Sequence, residues 1–501
     1  MKPITILPQT LMKTKIIVSI VLATLLVGAV TYFTLTQRQP MPEDKTDPIE
    51  QDCDINGDGI IEEKELQHCE ETSTGKPDQN SNSVDIRLPS DSTGSKDGTL
   101  AMRIYLPDGE SRYEEGAPVI IWSPGGYEMK GIDSDLSDYN KDFIVLTFIY
   151  PGATDPWSGF SSDGEYDDRG ENCIAATRDA VLFAGGKLKD SEGRTIDEVA
   201  GIPVFNDNVG MIGVSNGGNM IVAAAALYGE LMTDTLKYLI QWETPVSSQI
   251  ANRDFGRIVY DFDTGRQGDY FNERFIEYGP QNIEADWSDL AYDPEEDYYI
   301  VFHDGDGDSK YTTMNTKAGR DPNLNSDSKL AANEDWPIDS YPEGDKKMYS
   351  RAVTYALEEN NVFGDNWPKN IGTPEEADAY WDIRESVWMY DDVTEKMPDL
   401  KAMVLANVLD HVQSSPQKLH IHQAFEGWDS NGAWVKLNPS PTYIEKAGRS
   451  SEMAGLPNNI PNEAPEDWYD IESYCIPEAV EKYIYQLAAV WEMMDEVYKG
   501  I

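Results

Sequence analysis

One short stretch near the middle of the chain leaves its surroundings little freedom. Residues 209–213 (VGMIG) form an apolar run of strand length. They lead into Gly213-Val214-Ser215-Asn216-Gly217-Gly218, and then into the small-residue, helix-like run NMIVAAAALYG. A strand that turns into a helix through Gly-x-Ser-x-Gly must turn tightly. The glycines leave room for close backbone approach, and the serine hydroxyl is lifted above the sheet edge. Beyond Ser83 the rest of the chain keeps the same alternation. Strand-like runs fall at 84–88, 100–106, 118–122, 143–148, 236–242, 402–407 and 434–438. Helix-like runs fall at 172–187, 218–228, 416–428 and 477–498. That order predicts an α/β fold, a mostly parallel sheet flanked by helices. Of 501 residues 40% are hydrophobic, with 12 Trp and 27 Tyr, enough to bury a large core and to exclude wholesale disorder.

On these residues the chain resembles the α/β-hydrolase superfamily, over about 84–246 and 396–499. Three further segments carry the resemblance. The third strand-like run ends in Ser123-Pro124-Gly125-Gly126-Tyr127, similar to an oxyanion loop with Ser-Pro in place of a histidine. The next ends in Tyr150-Pro151-Gly152, and 402–407 leads into Val408-Leu409-Asp410-His411. The resemblance implies that Ser215 is the nucleophile and Asp410 the acid. It also implies an oxyanion site built from backbone N–H groups of Gly126, Tyr127 and Asn216.

The histidine is where the pattern breaks. The family's base follows the last strand, but that strand here ends Lys436-Leu437-Asn438-Pro439-Ser440, and no histidine occurs after His422. A serine needs a neighbouring base to lose its proton. Of His68, His303, His411, His420 and His422, His411 is the best-placed substitute. Glu243 is an alternative acid, just after 236–242. His420 and His422 open a helix whose first turn faces the same end of the sheet, or are ordinary core or surface residues.

The amino terminus reads as a targeting segment. Lys2, Lys13 and Lys15 precede an uncharged run, residues 16–35, whose 20 residues span about 30 Å as a helix. The lysines lie on its amino-terminal side, so the run is expected to anchor the protein in a cell membrane by a single pass. The bulk of the chain then lies outside the cytoplasm. From Thr36 to Ser83 there are 13 acidic against 4 basic residues, a linker composition. Inside it, Asp54, Asn56, Asp58, Ile60, Glu62 and Glu65 fill the twelve-residue EF-hand loop, with Gly59 at its turn. The Ile60 carbonyl and five oxygen-bearing side chains suit Ca2+, a hard cation that takes six to eight oxygens. Cys53 and Cys69 bracket this unit, where a disulfide is compatible with an oxidising exterior.

The organisation expected is therefore a cytoplasmic tip and anchor (1–37), an acidic linker with the calcium loop (38–83), and a first core segment (84–246). A cap insertion (247–395) and a second core segment (396–501) follow. The insertion carries two degenerate calcium-loop patterns, at 304–315 and 323–334. Acidic residues outnumber basic ones 90 to 40, a net charge of −50 that argues against a nucleic-acid partner. Two readings of function follow. One is a membrane-anchored hydrolase cleaving an ester or amide of a small molecule or peptide. The other is a catalytically decayed, calcium-binding surface module of the same fold.

Overall fold

The computed structural model describes residues 82–247, apart from 124, 126–131, 133, 135, 138–140 and 156–157. It also describes short pieces at 260–261, 266–267, 290–294, 299–302 and 336–337. From there it covers 340–408, 410, 412, 418–448, 465, 468–477 and 480–500. The expected anchor run, the linker up to residue 81 with its expected calcium loop, both degenerate loop patterns, His68, His303 and His411, and the expected oxyanion residues Gly126 and Tyr127 lie outside the described residues. Among the described residues no helix is long and apolar enough to cross a membrane.

Eight strands form the central sheet: β1 (Ser83–Pro89), β2 (Thr99–Tyr105), β3 (Ala117–Ser123), β4 (Ile144–Phe148), β5 (Val204–Val214), β6 (Leu236–Trp242), β7 (Lys401–Leu405) and β8 (Trp434–Leu437). Their order is β1-β2-β4-β3-β5-β6-β7-β8. β3 to β8 pair in parallel, and β2 pairs antiparallel with both β1 and β4. This is the mostly parallel, helix-flanked α/β sheet that the alternation predicts.

Strand periodicity builds the layers. Side chains of a strand alternate between the faces of its sheet. Ile121, Leu146, Met211 and Leu239 face one core, and their neighbours Ile120, Val145, Ile212 and Ile240 face the other. Against the first core pack α1 (Glu171–Ala184), α2 (Asn216–Met232), α5 (Tyr390–Lys396) and α6 (Leu419–Asp429). Against the second packs α7 (Lys482–Tyr498). Both faces are covered, so the strands read as nearly continuous apolar runs.

A polar clamp fixes α7. Asp495 accepts from Arg112 Nε at 3.1 Å and Nη2 at 3.0 Å, from the Tyr113 hydroxyl at 2.7 Å and from the Tyr443 hydroxyl at 2.8 Å. Burial alone raises a carboxyl's pKa, but these partners hold Asp495 below the ordinary carboxylate range.

The described part of the insertion contributes α3 (Arg351–Glu359), α4 (Pro374–Asp382) and a hairpin, Tyr341–Glu343 with Lys346–Met348. Arg351, almost fully buried, joins α3 to α4 and to the segment after it. It pairs with Asp378, with Asp382 at 2.7 Å and with Glu385 at 3.2 Å. Met389, Tyr390 and Val393, at the end of the predicted insertion, pack in the first core. Cys173 and Cys475 are both buried.

Candidate active site

Ser215 stands between β5 and α2 with φ 49° and ψ −124°, outside the regions that residues with side chains ordinarily occupy. Such strain persists only where the surroundings impose it. Two close approaches do so here. A methyl group on Gly213 would lie 2.5 Å from the Gly217 carbonyl oxygen, so only glycine lets strand and helix meet this closely. A methyl on Gly125 would lie 2.5 Å from the Val214 carbonyl oxygen and 2.8 Å from Ser215 Cβ. The loop that follows β3 is thereby pressed against the serine. The Ser215 N–H donates to the Trp242 carbonyl at 2.8 Å, fixing the turn to the end of β6. Asn216 opens α2, and its N–H belongs to the first helical turn, which has no intrahelical acceptors.

The acid loop leaves β7 at the same edge. Its root is held by several contacts, among them an Ile476 N–H that donates to the Ala406 carbonyl at 2.8 Å. Ala406 N–H donates to Asn438 Oδ1 at 2.7 Å, Asn407 Nδ2 to Glu243 Oε1 at 2.5 Å, and Val408 N–H to the Ile476 carbonyl at 3.1 Å. Asp410, fully buried, takes the Val412 N–H on Oδ1 at 2.8 Å. Its Oδ2 lies 2.8 Å from Nε2 of His420, which is itself 1% exposed.

The structure therefore joins Asp410 to His420, ten residues on, in the first turn of α6. Successive helical residues are about 100° apart, so His420 and His422 face nearly opposite ways. His422 stacks on Trp468, with ring centroids 4.5 Å apart, and lies 3.9 Å from Glu426. Partial burial lowers its pKa against the opposing pull of Glu426.

Three solved structures overlap this chain. One is an esterase of the fungus Rhizomucor miehei, 10% identical, covering 87% of this chain and 91% of the other with a TM-score of 0.41. Another is an esterase of Pyrobaculum calidifontis, 10% identical, covering 75% and 79% with a TM-score of 0.35. The third is a carboxyl esterase of Tuber melanosporum, 13% identical, covering 72% and 76% with a TM-score of 0.34. No protein-family model and no curated protein sequence matches the chain. Overlaps this loose carry no argument about chemistry, which has to rest on the site itself.

In the site, β6 separates the serine's strand from the acid's strand. Neighbouring strands lie about 4.8 Å apart, so β5 and β7 are roughly 10 Å apart. An imidazole held between a carboxylate and a hydroxyl spans a gap of that order. At the end of β8, where the family resemblance places a base, stands Asn438 with φ 57°. Both ends of its amide are engaged, on Ala406 N–H and on the Tyr474 carbonyl. It is a buried strap between the acid loop's root and the segment before α7.

The predicted insertion reaches α2, the helix that follows Ser215. Asn219 accepts the Ser386 N–H at 3.1 Å and donates to the Pro245 carbonyl at 2.9 Å. Between the loop before α1 and the insertion lies a cavity of about 680 Å³, lined by Glu165, Asp168, Glu171, Glu343, Lys346 and Arg384 among others. That volume is in the range of small-molecule pockets. Burial raises the Asp168 carboxyl against the pull of Arg169 and Arg384.

Proposed function

We propose that the protein is a membrane-anchored, extracytoplasmic serine hydrolase of the α/β-hydrolase type, acting on an ester or amide of a small molecule or peptide. The observation that carries this is the strained Ser215 at the strand–helix turn, at the same sheet edge as a buried carboxylate–imidazole pair.

In this mechanism the Ser215 hydroxyl attacks the substrate carbonyl. If His420 Nε2–H donates to Asp410, Nδ1 carries the ring's lone pair and takes the serine proton. Asp410 holds the tautomer and offsets the charge of the imidazolium. The oxyanion is stabilised by the Asn216 N–H and, by the family resemblance, by Gly126 and Tyr127. The imidazolium then gives its proton to the leaving alcohol or amine. A water, deprotonated by the same ring, releases the acid and regenerates the serine.

A fluorophosphonate probe tests this directly. The detergent-solubilised full chain is expected to gain one covalent adduct, on the peptide that contains Ser215. No adduct on protein shown to be folded overturns the proposal. That result favours the surface-module reading, which draws on the want of a histidine after β8.

The anchor at 16–35 and the calcium loop at Asp54–Glu65 belong to the same proposal. EF-hand loops of extracellular modules bind calcium with dissociation constants near 10⁻⁴–10⁻³ M. Calorimetric titration of the full chain with calcium is therefore expected to show a site in that range, lost in Asp54→Ala/Glu65→Ala. No heat above dilution removes calcium from the account and leaves the hydrolase intact.

A further inference from the structure

We infer that Glu243 is a positioning residue, tying the end of the strand beside the nucleophile to the root of the acid loop. The inference rests on the hydrolase reading of Ser215, His420 and Asp410.

Glu243 is the first residue beyond β6, the strand between the serine's and the acid's. The residue before it, Trp242, lies beside Val214 of β5 and Leu405 of β7, and its carbonyl accepts the Ser215 N–H. Glu243 has φ 49°, a left-handed backbone that a residue with a side chain rarely adopts, and it is 2% exposed. A carboxylate is kept at that depth only with its oxygens satisfied. One partner is Asn407 Nδ2 at 2.5 Å, a donor that is itself buried.

Asn407 is the hinge of the arrangement. Its backbone bridges to Ile476, and Asp410 follows three residues on. A continuous path thus runs from Ser215 through Trp242, Glu243 and Asn407 to Asp410. Glu243 is not needed as the triad acid, because Asp410 already carries His420. Its carboxylate instead sets the spacing between two loops whose side chains must meet. A misplacement of 1 Å in a catalytic group can cost about a hundredfold in rate.

The test uses p-nitrophenyl acetate hydrolysis by the full chain, with active sites counted by fluorophosphonate. Glu243→Ala is expected to lower kcat per labelled site roughly a hundredfold, with KM within about threefold. The midpoint of its pH–rate profile is expected to stay where the wild type has it. Glu243→Gln keeps an oxygen for Asn407 and is expected to recover most of the rate. Asn407→Leu removes the same bond at similar size, provides the test if Glu243→Ala does not fold, and is expected to match it. The double variant is then expected to be no worse than either single one.

Wild-type rates in Glu243→Ala or Asn407→Leu overturn the inference while leaving the hydrolase reading standing. So does a Glu243→Gln as slow as the alanine variant, because the charge and not the clamp is then what matters. A wild-type protein that takes no label overturns both.

Discussion

Ser215→Ala is expected to abolish fluorophosphonate labelling and to lower kcat for an activated ester by about 10⁵-fold or more, as removal of a nucleophile from a serine–histidine–acid unit does elsewhere. The residual rate is what the oxyanion donors and binding supply without a nucleophile. The fold is expected to survive, because alanine occupies φ 49° at the same backbone cost and the Ser215 N–H keeps its Trp242 acceptor. Ser215→Gly separates the two roles of the position. Glycine adopts positive φ freely, so relief of the strain is expected to stabilise the protein by about 1 kcal/mol while activity stays lost. Thermal melting of the three proteins beside their labelling checks this. A Ser215→Gly variant less stable than Ser215→Ala would remove the argument that the turn is held under strain.

Much of this site is legible in the sequence because the turn is local. Gly213, Ser215 and Gly217 declare a tight strand-to-helix turn by spacing alone, and strands of buried parallel sheet announce themselves as apolar runs. Strand β5 shows where that fails. It begins at Val204, but Asn206, Asp207 and Asn208 interrupt the apolar pattern, so only 209–213 reads as strand. Asn208 is fully buried and donates to the Met494 carbonyl of α7 at 2.9 Å, a partner that no local pattern reveals. The contact between His420 and Asp410 is hidden for a similar reason. His411 adjoins the acid in sequence, yet neighbouring residues of a loop rarely orient each other's side chains. The partner that meets Asp410 comes from a helix ten residues on. The available signal was the helix face, since His420 stands one turn before the buried Ala424, whereas His422 turns toward Trp468. Asn407, Glu243 and Asn438 were invisible as a group, because their bonds cross between strand ends far apart in the chain.

His420 therefore carries the sharpest remaining prediction. His420→Ala is expected to lower kcat by about 10⁴-fold or more, and His422→Ala to stay within about threefold of wild type. The difference follows from what each ring touches. His420 lies against the buried Asp410 carboxylate. His422 stacks on Trp468, where its loss removes one ring contact. Asp410→Asn is expected to fall by a comparable factor, since an amide cannot offset the imidazolium and allows the wrong tautomer. The cost is sharpened by position. The imidazolium forms in the first turn of α6, at the positive end of the helix dipole, where a buried cation needs its counter-charge. kcat measured for the three variants with p-nitrophenyl acetate decides the matter. If His422→Ala is the inactive one, the Asp410–His420 pair is a structural strap, and the proton must leave Ser215 by another route.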